Sequence, residues 1–262
     1  MKQKNVFSMD IYRIFTSKLI LISIFSVTLF CFISIYQDVP FEHFDETNII
    51  DIIDILFGLS MFKKILIILA SFPVVTIFCQ DWNSQYIRPV LIRCDSRKYT
   101  WSKIFVSQLS SLFVVFVGML LFSLILLIFS PIASNNIETY KGLPFENLLI
   151  GGLYSLYIFI IIFLFSLGTS LWVIIGLTVS SFIPNRFVAI ISPFIAGYLI
   201  EEFTRRLPSF LNLYILLRIW FDTGKGDFIT LLYYIFIFEL LIIVNGCIFS
   251  HQVKRRIRNE VV

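Results

Sequence analysis

The sequence predicts an all-α membrane protein of six transmembrane helices, and three observations carry that expectation. Of the 262 residues, 58% are hydrophobic and only 15% charged, whereas a soluble domain is nearer half apolar and about a quarter charged. Apolar runs of roughly twenty residues recur, the length that crosses a hydrocarbon layer of about 30 Å. The basic residues gather in alternate connections, as they do when a chain weaves through a membrane. Other classes fit poorly. Cys31, Cys79, Cys94 and Cys247 are scattered with no CxxC pair, so neither a disulfide framework nor a zinc site is expected. His43 and His251 are the only histidines, too few for a histidine-based metal site.

Within one transmembrane domain over 1–262, the spans are expected at about 19–37, 57–79, 104–130, 151–181, 187–203 and 229–250. An even number puts both termini on one side, and the basic residues choose it. Lys2, Lys4, Arg13 and Lys18 precede the first span, and Arg88, Arg93, Arg97, Lys98 and Lys103 fill the 80–103 connection. Arg186 lies in the turn "IPNR", and Lys254, Arg255, Arg256 and Arg258 lie in the tail. These are fourteen of the 21 basic residues, against four acids, Asp10, Asp81, Asp95 and Glu260. Leaving aside Glu239 within a span, the other side has seven basic residues and twelve acids, many of them in "DVPFEHFDETNIIDIID". The positive-inside rule then places both termini in the cytoplasm, in a multi-pass protein of the cell membrane.

Four segments need their own treatment. Residues 151–181 exceed the length a bilayer requires, but splitting them at "SLGTS" leaves halves too short to span. One long tilted helix reaching into the cytoplasm is expected. Lys63 and Lys64 fall inside the second span, near its outer end, where long stems snorkel to the headgroups. The stretch "RRLPSFLNLYILLRIWFDTGKGD" (205–227) is apolar yet holds Arg218 and a proline. It fits an outer re-entrant or interfacial hairpin before span six. "MKQKNVFSMDIYRIFTSK" lacks a signal-peptide cleavage site. Its Val6, Phe7, Ile11, Ile14 and Phe15 share a helical face, with Asp10, Arg13 and Ser17 elsewhere, as in an amphipathic helix at the cytoplasmic interface.

Catalytic motifs are missing. Gly224-Lys225 lacks the upstream glycine and the following Ser or Thr of a P-loop, and it falls on the outer side, so no ATPase site is expected in this chain. No HExxH or GxSxG spacing occurs, and an intramembrane enzyme is not expected. One ionisable group lies deep in a span, Glu239 in "LLYYIFIFELLIIVNGC". A carboxylate near the midplane costs about 2.5 kcal/mol or more. Glu239 therefore either contacts substrate along a wet pathway or is hydrogen-bonded to a neighbouring helix.

The stretch "QDWNSQYIRPVLIRCDSRKYTWSK" (80–103) is the most informative. Tyr86, Ile87, Val90 and Leu91 recur at i, i+1, i+4 and i+5, an apolar stripe on a short helix despite Pro89. So small a cytoplasmic helix cannot bury the stripe alone. It is expected to dock in a partner's groove or, failing that, to lie on the membrane surface. The basic residues that follow and Trp101 suit the interface before span three.

This stretch resembles the permease subunit of ABC type-2 exporters. In that family an acidic residue after span two is followed by a short coupling helix, an Arg-containing turn and a Lys that opens span three. The matching residues here are Asp81, the segment Ser84 to Leu91, Arg93 with Arg97, and Lys103. The turn "SSFIPNR" (180–186), the amphipathic first helix and the outer hairpin also resemble the family, so the resemblance covers essentially the whole chain. It departs at two places, where the usual Glu stands as Asp81 and a frequent Gly as Gln85. The resemblance implies ATPase-coupling residues Tyr86, Ile87, Arg88, Val90, Leu91, Arg93, Asp95 and Arg97. It implies no cofactor on this chain, with ATP and Mg held by a cytoplasmic ABC ATPase dimer. The further partner is a second permease copy or a related chain, with no nucleic acid. The cargo would be a peptide, antimicrobial, drug or lipid-like amphipathic compound, with Glu239 a candidate contact on its pathway. A rival expectation of another class is a membrane-embedded sensor or accessory protein docking a signalling partner through the same loop.

Overall fold

The computed structural model describes residues 6–36, 47–134, 140 and 142–260, and every regular element among them is helical. Five helices are long and apolar enough to cross a bilayer. They are α2 (Lys18–Tyr36), α7 (Ser96–Leu126), α9 (Tyr154–Phe182), α10 (Arg186–Thr204) and α12 (Asp227–Glu260). Shorter helices connect them: α1 (Val6–Phe15), α3 (Ile49–Gly58), α4 (Ser60–Ser71), α5 (Ile77–Asn83), α6 (Ile87–Arg93), α8 (Glu146–Ile150) and α11 (Leu213–Arg218). The bundle thus has a near end, which carries α1, α5, α6 and the last turns of α12, and a far end, which carries α3, α8 and α11.

The axis of the bundle is α9, which packs against α7, α10 and α12. It runs unbroken through "SLGTS" because the hydroxyls there bond back to its own carbonyls. Ser166 Oγ donates to Ile162 O at 2.7 Å, Thr169 Oγ1 to Phe165 O at 2.8 Å and Ser170 Oγ to Leu167 O at 2.7 Å. Small residues then let neighbouring helices approach closely, the packing mode that membrane helices use in place of a hydrophobic drive. A Cβ on Gly176 would stand 2.4 Å from Pro193 Cγ of α10. Likewise a Cβ on Gly118 of α7 would stand 2.7 Å from Val27 Cγ1 of α2, where Thr28 Oγ1 also donates to Gly118 O at 2.8 Å.

Several expectations need correction. The span at 57–79 is not one helix. The chain breaks at Leu59, forms α4, turns through 72–76 and resumes as α5. Pro73 sits in that turn; it has no N–H to bond Leu69 and its ring clashes with that carbonyl. Together α4 and α5 still carry the chain from the far end, where Gly58 meets Arg218, to the near end at Asp81. Lys63 and Lys64 do not snorkel. Both are buried, and Lys64 Nζ lies 2.5 Å from Glu201 Oε2 and 2.8 Å from Gly197 O of α10. The first helix turns Asp10 inward with Ile14 and leaves Phe7, Met9 and Tyr12 exposed, because Asp10 has a buried cationic partner on α7.

At the far end, 49–58 is a helix rather than a loop. Asn48 caps it, its Oδ1 accepting from Asp51 N at 2.9 Å, and Ile49, Ile52, Ile53 and Leu56 are buried. The acids Asp38, Glu42, Asp45 and Glu46 lie outside the described residues, as do Lys2, Lys4 and His43. Before the last long helix comes a single 3₁₀ turn, Ser209–Leu211, and then α11. Asp54 of α3 ties it down, accepting from Arg218 at 3.2 Å and from Trp220 Nε1 at 2.9 Å.

Candidate functional site

The residues around α5 form a buried ion network at the near end. Lys103 Nζ lies 2.7 Å from Asp81 Oδ2 and 2.7 Å from Asp10 Oδ1. Arg13 donates to Asp81 Oδ1 at 2.8 Å and to Gln80 Oε1 at 2.9 Å. Tyr99 OH adds a bond to Asp81 Oδ2 at 3.1 Å, and Ser102 Oγ one to Asp10 Oδ2 at 3.0 Å. Every oxygen of the two carboxylates is therefore bound, and two anions meet two cations. A buried ion pair survives only with such saturation, because each desolvated charge otherwise costs several kcal/mol. Helical spacing brings the groups together. Tyr99 and Lys103 are i, i+4 on α7, and Asp10 and Arg13 are i, i+3 on α1. Partial burial works against the Arg13 guanidinium, but its hydrogen bond to Asp81 and the nearby negative charges outweigh this and hold its pKa above the usual arginine value.

The opposite face of α5 is held by aromatic and backbone contacts. Phe78 packs edge-on against Phe249 of α12 with centroids 5.5 Å apart, and stacks on Trp82 at 5.9 Å. Arg256 of α12 lies 4.9 Å from the Trp82 ring and donates to Ser181 O at 3.1 Å, closing the C-terminal end of α9. Asn83 Nδ2 reaches Pro184 O in the α9–α10 turn at 3.3 Å. Seven residues of α5 thus touch α1, α7, α12 and the α9–α10 turn.

From this hub the chain turns at Gln85, whose φ of 58° is left-handed, and enters α6. The expected stripe is split by the fold. Ile87 is 2% exposed and anchors α6, and Val90 and Leu91 pack partly against the core. The free apolar surface belongs to Tyr86 and to Ile92, which is 86% exposed and was not part of the stripe. Arg88 is exposed beside them. Arg93 ends α6, and its side chain lies outside the described residues. Asp95 is the N-cap of α7, accepting from Arg97 N at 3.4 Å, and the Arg97 side chain is exposed in the first turn. Glu239 belongs to none of this. It accepts from Gln108 Nε2 of α7 at 2.5 Å, about 15 Å along α12 from Phe249. The fold therefore assigns Glu239 a helix-to-helix bond and leaves it apart from the α6 surface.

No family model, curated protein or solved structure matches this chain. What the site can do follows from its own residues. With every carboxylate oxygen bound, the network is suited to transmitting position rather than exchanging protons. A pull on α6 reaches α5 directly, α1 through Arg13, α7 through Lys103 and α12 through Trp82. The left-handed Gln85 marks where the chain bends from α5 into α6. A non-glycine residue in that conformation costs about 1–2 kcal/mol, so Gln85→Gly is expected to raise the unfolding free energy by about 1 kcal/mol. Gln85→Val is expected to lower it. Thermal unfolding of the detergent-purified chain would check both, and a destabilised Gly variant would rule out strain at this bend.

The sequence pointed to Asp81 and Lys103 but not to their contact. Asp10, Arg13, Tyr99 and Arg256 were not singled out as site residues. Among them only Tyr99 carried a signal, its i, i+4 spacing to Lys103.

Proposed function

We propose that this chain is the membrane-spanning permease subunit of an ATP-driven ABC type-2 exporter, powered by a separate cytoplasmic ATPase. The observation that carries the reading is α6, a short helix with Ile92 and Tyr86 facing outward, hung from a hub whose contacts reach four other parts of the bundle. An exposed apolar side chain on a helix anchored at its other edge suits the groove of a partner. The near end faces the cytoplasm in this reading, in line with its basic residues, and α4 with α5 makes the sixth crossing. Two such subunits, identical or related, flank the pathway.

Closure of the ATPase dimer on ATP and Mg would move α6, and through α5 the long helices. ATP biases the two arrangements through its different affinity for the closed and open dimer. The cargo is an amphipathic peptide, antimicrobial, drug or lipid-like compound.

The test is to affinity-purify the full chain in mild detergent from the membranes of its native cells and look for a co-purifying P-loop ATPase. The expected result is a stable complex whose ATP hydrolysis depends on this chain. An ATPase that fails to co-purify, or hydrolyses ATP indifferently to its presence, refutes the reading.

A further inference from the structure

Among the described residues of the far end, one buried cation has no ion pair of its own. Lys64 pairs with Glu201, Arg218 with Asp54 at 3.2 Å and Arg205 with Glu202 at 3.2 Å. Lys63, beside Lys64 on α4, is 2% exposed, and its Nζ has no hydrogen-bond partner. Among the described residues the other two buried lysines, Lys64 and Lys103, each hold a carboxylate. The contact that Lys63 does make is with the ring of Tyr214 on α11, whose centroid lies 4.1 Å from Nζ. The same ring lies 5.3 Å from the guanidinium carbon of Arg205, an exposed residue at the end of α10. Tyr214 is only half buried, and Arg206 beside Arg205 is exposed.

A cation–π contact is worth about 0.5–2 kcal/mol, whereas an uncompensated buried charge costs about 3–5 kcal/mol. The ring therefore covers Lys63 without balancing it. A second atom of the cluster is also unsatisfied. Glu201 gives Oε2 to Lys64, while its Oε1 is buried with no partner. Lys63 feels the Glu201 charge but shares it with Lys64, which takes the only bond, so an ammonium without a bonded anion stands near a carboxylate oxygen without a donor. A phosphate that also carries a hydroxyl meets both, its charged oxygen on Lys63 and its O–H donating to Glu201.

We propose that Lys63 anchors a site for a hydroxyl-bearing phosphate, with Glu201 accepting from the hydroxyl, Tyr214 swinging aside as the cover and Arg205 closing from outside. The phosphate is either the glycerol-phosphodiester of a lipid headgroup or free hydrogen phosphate. The site stands whether or not an ATPase docks at the near end.

The experiment uses the full purified chain in neutral detergent, titrated separately with phosphatidylglycerol, phosphatidylcholine and inorganic phosphate. Thermal unfolding is followed by tryptophan fluorescence. Phosphatidylglycerol is expected to raise the midpoint and phosphatidylcholine to leave it unchanged. A rise with inorganic phosphate as well identifies a free-phosphate site, and a rise with phosphatidylglycerol alone identifies a headgroup site. Lys63→Met removes the unmatched cation, so it is expected to fold at least as stably as the parent and to bind at least tenfold more weakly. Tyr214→Ala uncovers Lys63 and is expected to bind more tightly, which keeps the test decisive if Lys63→Met does not fold. No response to phosphatidylglycerol or phosphate, an equal response to phosphatidylcholine, or Lys63→Met binding as well as the parent overturns the proposal. So does Tyr214→Ala binding no more tightly than the parent.

Discussion

Ile92→Asp is expected to abolish co-purification of the proposed ATPase partner while leaving the stability of the isolated chain within about 0.5 kcal/mol of the parent. The side chain is 86% exposed on α6, so a carboxylate there remains hydrated and disturbs no internal packing. In a docked complex the same carboxylate would be carried into an apolar groove. Truncating a central anchor of that kind costs about 2 kcal/mol or more, a loss of roughly thirtyfold in affinity, and a buried charge costs further. Ile87→Asp is the contrasting variant. Ile87 is buried against the body of the protein, and an unpaired carboxylate at that position is expected to cost several kcal/mol of stability. The two isoleucines thus separate docking from folding. Measuring ATPase recovery and thermal unfolding for both variants distinguishes them, and full recovery with Ile92→Asp would remove α6 as the docking element.

Lys103→Met is expected to be the most destabilising change at the near end, at about 3–5 kcal/mol. Lys103 is the shared cation of Asp10 and Asp81. Without it, Asp10 keeps only its bond from Ser102, and Asp81 keeps Arg13 and Tyr99. Asp81→Asn should cost less, because Lys103 still has Asp10. Adding Asp10→Asn to Lys103→Met should restore part of the loss, since it removes the carboxylate left unpaired. Release of α1 would unwind the helix around the already exposed Arg13 and uncover Ile14, so trypsin cleavage at Arg13 should accelerate in step with the loss of stability. Unchanged unfolding of Lys103→Met, or no recovery in the double variant, would mean that the network does not hold α1.

Much of this architecture is legible in the sequence, and what is not has physical causes. Long apolar runs located the five helices long and apolar enough to cross a bilayer, and α9 stayed whole through "SLGTS" because its hydroxyls satisfy themselves within the helix. The run at 57–79 was read as one helix because hydropathy averages over Pro73, whereas the backbone responds to it locally. The helix at 49–58 carries apolar residues at i, i+3, i+4 and i+7, a signal masked by the acids around it. In the seven residues of α6 the facing direction is set by a turn at Gln85 that periodicity does not record, so Ile92 was missed and Ile87 assigned outward. The ion network joins residues 68 and 93 positions apart. Burial alone turns those scattered charges into partners, and a single sequence reports charge without reporting burial.

The span of chain that meets at α5 also fixes an order of assembly. Asp10 is made before Lys103, which emerges only after two more hydrophobic segments, and Arg256 follows only with α12. During translation the early helices therefore carry carboxylates whose partners do not yet exist. The platform that presents α6 is complete only when the last helix is in place. A chain stalled before Arg256 would insert but hold α6 loosely, so the position of α6 would report whether α12 has taken its place.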